Sequence, residues 1–275
     1  MRAGSDSDKR ATITYNGLGT APIDLNYEPM RFLLYNIRYA TGRGPRFHLP
    51  LPYAGMLKSS HHNLAAITEF IKSVAPDITG LVEVDCGSFR MRAACQAAAI
   101  AGALQHSHLV EPKYGNGSLA ARTPILRKQG NALVSRQQFI RHHFHYFNEG
   151  VKRLVIEAEL PEVTIFLVHL SLKYRHRQQQ LEDLYGFLQK VDKPVIVAGD
   201  FNTFQGSREL NLFLGATGLK SANEKEMPSH PSKAPHRQLD FILHSPQLRA
   251  TNFHIPNIHL SDHAPLVCDF ELAAG

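Results

Sequence analysis

Short apolar runs separated by polar, turn-forming segments dominate the chain after Met30. Eight of these runs are rich in β-branched and aromatic residues, a composition that predicts β-strands. They are RFLLYNI (31–37), ITGLVEV (78–84), GNALVSR (130–136), RLVIEAEL (153–160), TIFLVHL (164–170), PVIVAGD (194–200), LDFILH (239–244) and PLVCDFEL (265–272). The first of them is apolar enough to be a buried strand.

Helical periodicity appears between these runs. In 61–74 and again in 177–191, the apolar residues fall on one face of a helix. An Ala-rich segment predicts a third helix over 88–104, and Ser207 is the expected N-cap of a fourth helix. Strands interleaved with helices indicate a mixed α/β protein.

The domain organisation follows from where this pattern begins. Residues 1–29 are polar and show no periodic apolar positions, so we expect a disordered or loosely ordered extension that adds nothing to function. No Gly- or Ser-rich linker divides the remainder. The sequence therefore predicts one folded domain over 30–275.

The net charge indicates which partners the protein can bind, and the length of its apolar runs indicates where it can be located. Lys and Arg exceed Asp and Glu, giving a net charge of +6, which favours anionic partners such as nucleic acid, phosphorylated metabolites or lipid headgroups. No apolar run approaches the ~20 residues of a membrane-spanning helix. The N-terminus also lacks the apolar stretch of a secretory signal, so we expect a cytoplasmic protein without a transmembrane segment.

The segment VIVAGDFNT (195–203) ends an apolar strand with a carboxylate and an amide. Alternate strand residues share a face, so Asp200 and Asn202 are expected to project into one cleft. A carboxylate suits proton acceptance from water, and an amide suits the orientation of water or phosphate. The same two residues also fit an ordinary turn at a strand end, and the segment alone does not decide between these interpretations.

A second motif, LSDHAPLVCDF (260–270), places Asp262 and His263 immediately before a strand. A carboxylate beside an imidazole can serve as a metal ligand next to a phosphate-contacting or proton-transfer group. A capping turn explains Ser-Asp equally well.

Four further polar residues interrupt or end apolar strands. A buried Asn36 needs a hydrogen-bond partner, and Glu83 offers a hard oxygen ligand to Mg²⁺. His169 and Asp240 each lie at the edge of an apolar run, where a satisfied core group is the simpler interpretation of either residue alone. Their joint occurrence favours a single site.

Together these pieces, in this order, resemble the endonuclease/exonuclease/phosphatase superfamily, which includes deoxyribonucleases, abasic-site endonucleases, neutral sphingomyelinases, inositol-polyphosphate 5-phosphatases and deadenylases. The resemblance extends from about Met30 to Glu271 and rests chiefly on GDFN (199–202) combined with a terminal SDH (261–263). It implies a four-layer α/β/β/α sandwich of two mixed β-sheets, with the site where strand ends of both sheets meet.

The resemblance also implies a metal site. Glu83 would be the principal ligand of Mg²⁺ or Mn²⁺, with Asn36 and Asp262 completing or supporting the site. The activity implied is divalent-metal-dependent hydrolysis of a phosphoester.

Five residues take catalytic roles by the same resemblance. Asp200 would align and deprotonate the attacking water while Asn202 orients it. His263, held by Asp240, would contact the scissile phosphate, and His169 would contact phosphate and help protonate the leaving oxygen. Such a set suits phosphoryl transfer, because cations and amide donors stabilise the charge that spreads over the phosphoryl oxygens.

The sequence favours several classes of substrate and does not choose one of them. His169 in a VHLS context resembles the deoxyribonuclease, sphingomyelinase and 5-phosphatase branches, and disfavours abasic-site repair. Lys173 and Arg175, together with Arg177, follow His169 and place positive charge near the site entrance, unless they form only a solvated helical turn. The candidate substrates are therefore nucleic acid, a phospholipid headgroup or an inositol phosphate, and a catalytically silent phosphate-binding protein is the alternative from another class.

Overall fold

The computed structural model describes residues 29–42, 61–88, 91, 93–113 and 126–273. Residues 1–28, which make up nearly all of the predicted N-terminal extension, lie outside these ranges. Within them the strands are β1 (Met30–Asn36), β2 (Ile78–Asp85), β3 (Ser107–Pro112), β4 (Gln129–Ser135), β5 (Arg141–Tyr146), β6 (Leu154–Glu159), β7 (Thr164–His169), β8 (Val195–Asp200), β9 (Lys220–Ser221), β10 (Asp240–His244), β11 (Leu248–His254) and β12 (Leu266–Leu272). The α-helices are α1 (His61–Val74), α2 (Gln96–Leu104), α3 (Tyr174–Leu188) and α4 (Asn211–Thr217).

The strands form two six-stranded mixed sheets. The first has the order β11-β12-β1-β2-β4-β3, and the second has the order β5-β6-β7-β8-β10-β9. Each sheet contains a parallel pair at its centre, β1 with β2 and β7 with β8, while the other pairs are antiparallel. The parallel pairs bring the carboxyl ends of neighbouring strands to one edge of each sheet.

Three apolar layers hold the fold together. Phe32 of β1 and Leu167 of β7 belong to the core between the two sheets. On the outer face of the first sheet, Leu33 packs in the same cluster as Ile67 of α1, and Phe166 of the second sheet clusters with Leu184 of α3. Because successive strand residues point to opposite faces, the central strands are buried on both sides. The predicted four-layer α/β/β/α sandwich is confirmed.

The strand predictions succeed in the centres of the sheets and fail at their edges. Each of the eight predicted strands is present to within one residue at either end. The four additional strands, β3, β5, β9 and β11, are the outermost strands of the two sheets. Edge strands expose much of their surface, so they carry polar residues instead of the continuous apolar run that identifies a buried strand.

Two helix predictions need correction. The helix expected over 88–104 begins only at Gln96, because the Asp85 carboxylate accepts hydrogen bonds from the backbone of Gly87 and Ser88 and closes a turn. Ser207 is not the N-cap of α4: it begins a 3₁₀ turn, and its hydroxyl donates to Glu226 Oε1 at 2.6 Å. The helix predicted over 177–191 is shifted toward the N-terminus, and that over 61–74 is confirmed.

None of the helices in the described ranges is long and apolar enough to cross a membrane.

Candidate active site at the edge of the two sheets

The predicted site residues meet where strands of both sheets end. Asn36 is the last residue of β1, and His169 and Asp200 are the last residues of β7 and β8. Asp240, the first residue of β10, lies directly opposite Asp200 in the antiparallel ladder, and His169 is opposite Asp200 in the parallel one. The fold therefore places these side chains together without any contribution from long loops.

Asp200 joins the two sheets. Asn36 Nδ2 donates to its Oδ2 at 3.1 Å, and His169 Nε2 lies 3.3 Å from the same oxygen. Its other oxygen accepts the backbone N–H of Asn202 at 3.1 Å. Burial alone would raise the pKa of Asp200, but the neighbouring rings of His169 and His263 hold it far below its usual range. Asp200 is thus a buried carboxylate that stays ionised.

A second buried pair, Asp240 and His263, lies beside Asp200. His263 Nδ1 is 2.8 Å from Asp240 Oδ2, and the Ser229 hydroxyl donates to that oxygen at 2.5 Å. His263 Nε2 is 3.8 Å from Asp200. Burial disfavours a charged ring, but Asp240 and Asp200 outweigh it and raise the pKa of His263 to about 10. The ring is a fixed cation with one nitrogen directed toward Asp200.

Glu83 occupies a β-bulge in β2. The register with β4 shifts between Leu81 and Val84, and Glu83 itself has a φ of 58°. A left-handed backbone is uncommon for a residue other than glycine and is often retained where a functional side chain must be aimed. Asn131 Oδ1 accepts the Glu83 backbone N–H at 3.2 Å, so a side chain replaces the lost ladder bond.

The carboxylate of Glu83 suits a cation. Burial would raise its pKa, but the ammonium groups of Lys113 and Lys152 hold it below its usual range. Its Oε1 lies 3.9 Å from Lys152 Nζ and 4.0 Å from His169 Nδ1, both beyond hydrogen-bond distance. Within the described chain no side chain hydrogen-bonds to this ionised, largely buried group, so its oxygens can bind a hard divalent ion.

Asp262 approaches the site from the loop before β12. Its Oδ2 lies 3.3 Å from Arg38 Nε, and its side chain is 26% exposed. Arg38, Tyr39 and Ala40 have φ values of 46°, 55° and 53°, a run of left-handed residues directly after Asn36. This unusual turn directs the Arg38 guanidinium toward Asp262.

Asn202 adopts a left-handed conformation with a φ of 52°. Its Nδ2 donates to the backbone oxygen of Leu170 at 2.8 Å, which ties the end of β8 to the residue after His169. The expected role of this amide in orienting water stays a prediction, since part of its donor capacity is already used by the backbone.

Two lysines complete the site and carry no sequence motif. Lys152 Nζ contacts His169 Nε2, and Lys152 lies two residues before β6, the antiparallel neighbour of β7. Lys113, at the end of β3, is buried and donates to Tyr39 Oη at 2.5 Å. Burial followed by the charge of Lys152 lowers the pKa of His169 to about 4, and burial lowers the pKa of Lys113 to about 8. The sequence could have indicated Lys152 only through the expected antiparallel pairing of β6 with β7, which brings the segment before β6 next to His169 at the end of β7.

The cations expected at the entrance behave differently from one another. Lys173 and Arg175 are exposed at the start of α3, and their side chains make no hydrogen bond or ion pair within the described ranges. Arg177 does not lie at the entrance: it is buried against Glu209, with Nε and Nη2 at 2.9 and 2.5 Å from Glu209 Oε2. Glu209 Oε1 also accepts the backbone N–H of Gln205, so this pair fixes the segment after Asn202.

Replacing Arg177 with Leu is expected to lower the free energy of unfolding by about 3 kcal/mol, because the variant leaves the Glu209 carboxylate buried without its partner. Chemical denaturation measures the change. Arg175→Leu, at an exposed position two residues away, is the matched control and should stay within about 0.5 kcal/mol of the wild type. Equal losses in the two variants would show that the buried pair is not responsible.

A model of the endonuclease/exonuclease/phosphatase family matches residues 34–263. The matched range covers most of the chain and includes every residue expected to act in catalysis or metal binding. The chain belongs to the endonuclease/exonuclease/phosphatase family.

Known proteins similar to this chain include several curated relatives and many solved structures. The uncharacterized protein YbhP of Escherichia coli (strain K12) is 31% identical over 163 residues, a match covering 52% of this chain and 63% of that protein. The match thus spans less than two thirds of this relative's length.

Two solved structures illustrate the shared fold. The mannosyl-6-phosphatase of Bacteroides thetaiotaomicron superposes with a TM-score of 0.66 at 14% identity, covering 88% of this chain and 100% of that one. The human Nocturnin catalytic domain, solved with a bound sulfate anion, superposes with a TM-score of 0.63 at 22% identity. The match covers 89% of this chain and 95% of that one. At these identities the likeness is one of fold.

Proposed function

We propose that this protein is a divalent-metal-dependent phosphoester hydrolase in which water attacks phosphorus. The observation that carries the proposal is the ionised, buried Asp200, which lies 3.3 Å from His169 and 3.8 Å from the cationic His263. A fixed anion beside a fixed cation suits a reaction in which water is aligned on one side and phosphoryl charge is stabilised on the other. A family model covering the whole site, and a phosphatase among proteins of the same fold, support this choice.

Asp200 is assigned the alignment of the attacking water. A carboxylate of such low pKa is a weak base, which favours alignment and late proton acceptance over full abstraction before attack. Asn36 fixes one oxygen of Asp200 and the Asn202 backbone fixes the other, so the carboxylate cannot rotate away. Asn202 is assigned to the same water, in agreement with its place beside Asp200.

His263 is assigned the contact to the scissile phosphate. Its Nδ1 is engaged by Asp240, which leaves an Nε2–H donor directed into the site. His169 is the second phosphate contact and lies between Asp200 and Lys152. The Lys152 ammonium can supply the proton for the leaving oxygen through His169.

Glu83 and Asn36, with Asp262 in support, are the residues assigned to Mg²⁺ or Mn²⁺. The fit rests on the Glu83 carboxylate, which is ionised, largely buried and without a hydrogen bond within the described residues. A bound divalent ion supplies charge stabilisation to the phosphoryl oxygens. Residues of this chain supply the alignment of water and the hydrogen bonds to phosphate.

The proposal is tested by substrate profiling with purified protein in Mg²⁺ or Mn²⁺ and in EDTA. The panel contains bis-p-nitrophenyl phosphate, phosphate monoesters, oligonucleotides, inositol phosphates and phospholipid headgroups. Hydrolysis of at least one phosphoester that EDTA abolishes is the expected result. Phosphate-ester binding without any turnover would instead favour the catalytically silent phosphate-binding protein.

Lys152→Met is expected to lower kcat/KM about ten-fold, because a hydrogen bond to a charged group is worth roughly 1.5 kcal/mol or more. Lys152 combines a contact to His169 with a position 3.9 Å from Glu83, so its ammonium is placed to reach phosphate. Steady-state kinetics on the hydrolysed substrate measure the effect. Lys190→Met, at an exposed position two residues after α3, is the control, and equal activity of both variants would show that Lys152 has no role in catalysis.

A nuclease is the second candidate function. Two exposed aromatic side chains, Tyr174 (47%) and Phe204 (42%), each lie 5.8 Å from the Arg177 guanidinium, next to the exposed Lys173 and Arg175. Exposed aromatic rings beside cations are typical of surfaces that bind single-stranded nucleic acid by stacking and phosphate contacts.

The nuclease candidate predicts a steep salt dependence. If Lys173 and Arg175 each contact a phosphate of a single strand, replacing both with Gln should make the slope of log affinity against log salt shallower by about 1.4. Titrating a labelled oligonucleotide at several salt concentrations measures the slope, and Lys190→Gln should leave it unchanged. Affinity for oligonucleotides that does not depend on salt, with no strand cleavage, would exclude this candidate.

A further inference from the structure

Three side chains that could bind one metal ion converge at the border of the proposed active site. His230, Asp262 and His263 each offer a ligand atom, and these atoms lie within 4.8 Å of one another. The two imidazole rings have centroids 4.7 Å apart and are inclined at 51°. His230 has no part in the catalytic roles assigned above and carries no sequence motif.

The backbone holds this cluster in place. The segment around His230 and the loop before β12 are joined by hydrogen bonds from Ser232 N to Asp262 O at 2.6 Å and from Ala264 N to Ser229 O at 2.8 Å. The Ser232 hydroxyl also donates to Ser261 O at 2.6 Å. Because these bonds flank His230 on both sides, the three ligand groups are preorganised and need little rearrangement to bind an ion.

His263 has the environment of a metal-ligating histidine. Its Nδ1 is engaged by the Asp240 carboxylate, and Asp240 is fixed in turn by the Ser229 hydroxyl. A carboxylate behind one ring nitrogen orients the other toward a metal and increases its basicity. His263 Nε2 can therefore bind a metal ion when the ion displaces its proton, which passes to solvent.

His230 has an unfulfilled bonding requirement. Its Nδ1 is buried and has no hydrogen-bond partner within the described chain. A buried ring nitrogen without a partner is costly unless another group, such as an ion, satisfies it.

We propose that His230, Asp262 and His263 form a site for a borderline transition-metal cation such as Zn²⁺, which shares Asp262 with the proposed hard-oxygen site of Glu83 and Asn36. Two imidazoles with one carboxylate suit Zn²⁺, whereas Mg²⁺ prefers oxygen ligands only.

Occupation of this site has a consequence that rests on the proposed function. His263 Nε2 cannot ligate Zn²⁺ and donate a hydrogen bond to phosphate at the same time. Zn²⁺ should therefore inhibit hydrolysis supported by Mg²⁺. The inhibition should weaken when His230 is replaced.

The test measures Zn²⁺ binding to metal-free protein by competition with a chromophoric chelator, together with the visible absorption of the Co²⁺ form. His230→Phe keeps a ring against His263 but removes the nitrogen ligand, and it should weaken the tight Zn²⁺ site about ten-fold or more. Glu83→Gln should leave Zn²⁺ binding unchanged.

Two variants control for other histidines. His236→Phe changes an exposed histidine in the same loop, and His143→Phe changes one of the histidines of β5. Both should bind Zn²⁺ as the wild type does.

Two results would overturn the proposed site: Zn²⁺ affinity unaffected by His230→Phe, or an equal loss in the two control variants. Tight Zn²⁺ binding that depends on His230, in a protein that hydrolyses no phosphoester, would keep the metal site and reject the proposed function.

Discussion

Asp200→Asn is expected to lower turnover about 100-fold or more, as follows from the loss of a positioned proton acceptor. Asn has nearly the same shape, so the hydrogen bond from the Asn202 backbone can be kept. The variant loses the negative charge that faces His169 and His263 and that water needs in order to transfer its proton. The loss should appear in kcat, since the carboxylate acts on water and not on the substrate.

Asp192→Asn is the matched control for this variant. Asp192 is exposed after α3 and belongs to no part of the site, so its replacement should leave both turnover and thermal stability unchanged. Circular dichroism and thermal melting establish that Asp200→Asn is folded. A folded Asp200→Asn variant with wild-type turnover would reject the assignment of this carboxylate.

Glu83→Gln is expected to raise the Mg²⁺ concentration needed for half-maximal activity about 100-fold, because loss of even an indirect metal contact costs 10- to 100-fold in affinity. The carboxamide fills the same space in the bulge of β2 but brings no charge to a divalent ion. Maximal turnover at saturating Mg²⁺ should fall less than the metal affinity does.

Thermal stability gives a measurement of the same site that is independent of activity. A ligand present at 100 times its dissociation constant stabilises the folded state by about 2.7 kcal/mol, so Mg²⁺ should raise the Tm of the wild type. The rise should be much smaller for Glu83→Gln and unchanged for Glu69→Gln, whose side chain is 71% exposed on α1. An identical Mg²⁺ response in all three proteins would place the metal elsewhere.

The sheets could be predicted from the sequence because their central strands are buried on both faces. Continuous apolar runs such as 164–170 and 194–200 have no other stable location, and polar residues at their ends are therefore conspicuous. Asn36, His169 and Asp200 were identified in this way. The predicted need of Asn36 for a partner is met by Asp200 on the opposite sheet.

Other parts of the site depend on contacts between distant segments. Lys113 follows β3 of the first sheet and Lys152 precedes β6 of the second, and their charges act on the same Glu83 carboxylate because the sheets pack face to face. Lysines at strand ends are otherwise typical of solvent-exposed surface, so no local pattern marks these two. His230 likewise gains its position from backbone hydrogen bonds to a loop some thirty residues away.

Arg177 shows how a local pattern can mislead. It lies among exposed cations at the start of a helix, and helical periodicity alone does not distinguish it from Arg175. The difference is Glu209, which lies 32 residues later and is brought against α3 by the fold. A buried charge pair of this kind is specified by tertiary structure.

In the proposed reaction water, aligned by Asp200, attacks phosphorus, and isotope transfer tests this step most directly. Wild-type protein and Asp200→Asn are incubated with bis-p-nitrophenyl phosphate and Mg²⁺ or Mn²⁺ in H₂¹⁸O, and the products are analysed by mass spectrometry. We expect wild-type protein to place one ¹⁸O in p-nitrophenyl phosphate and none in p-nitrophenol, with little product from the variant. Label in p-nitrophenol, or equal product from both proteins, would contradict this account.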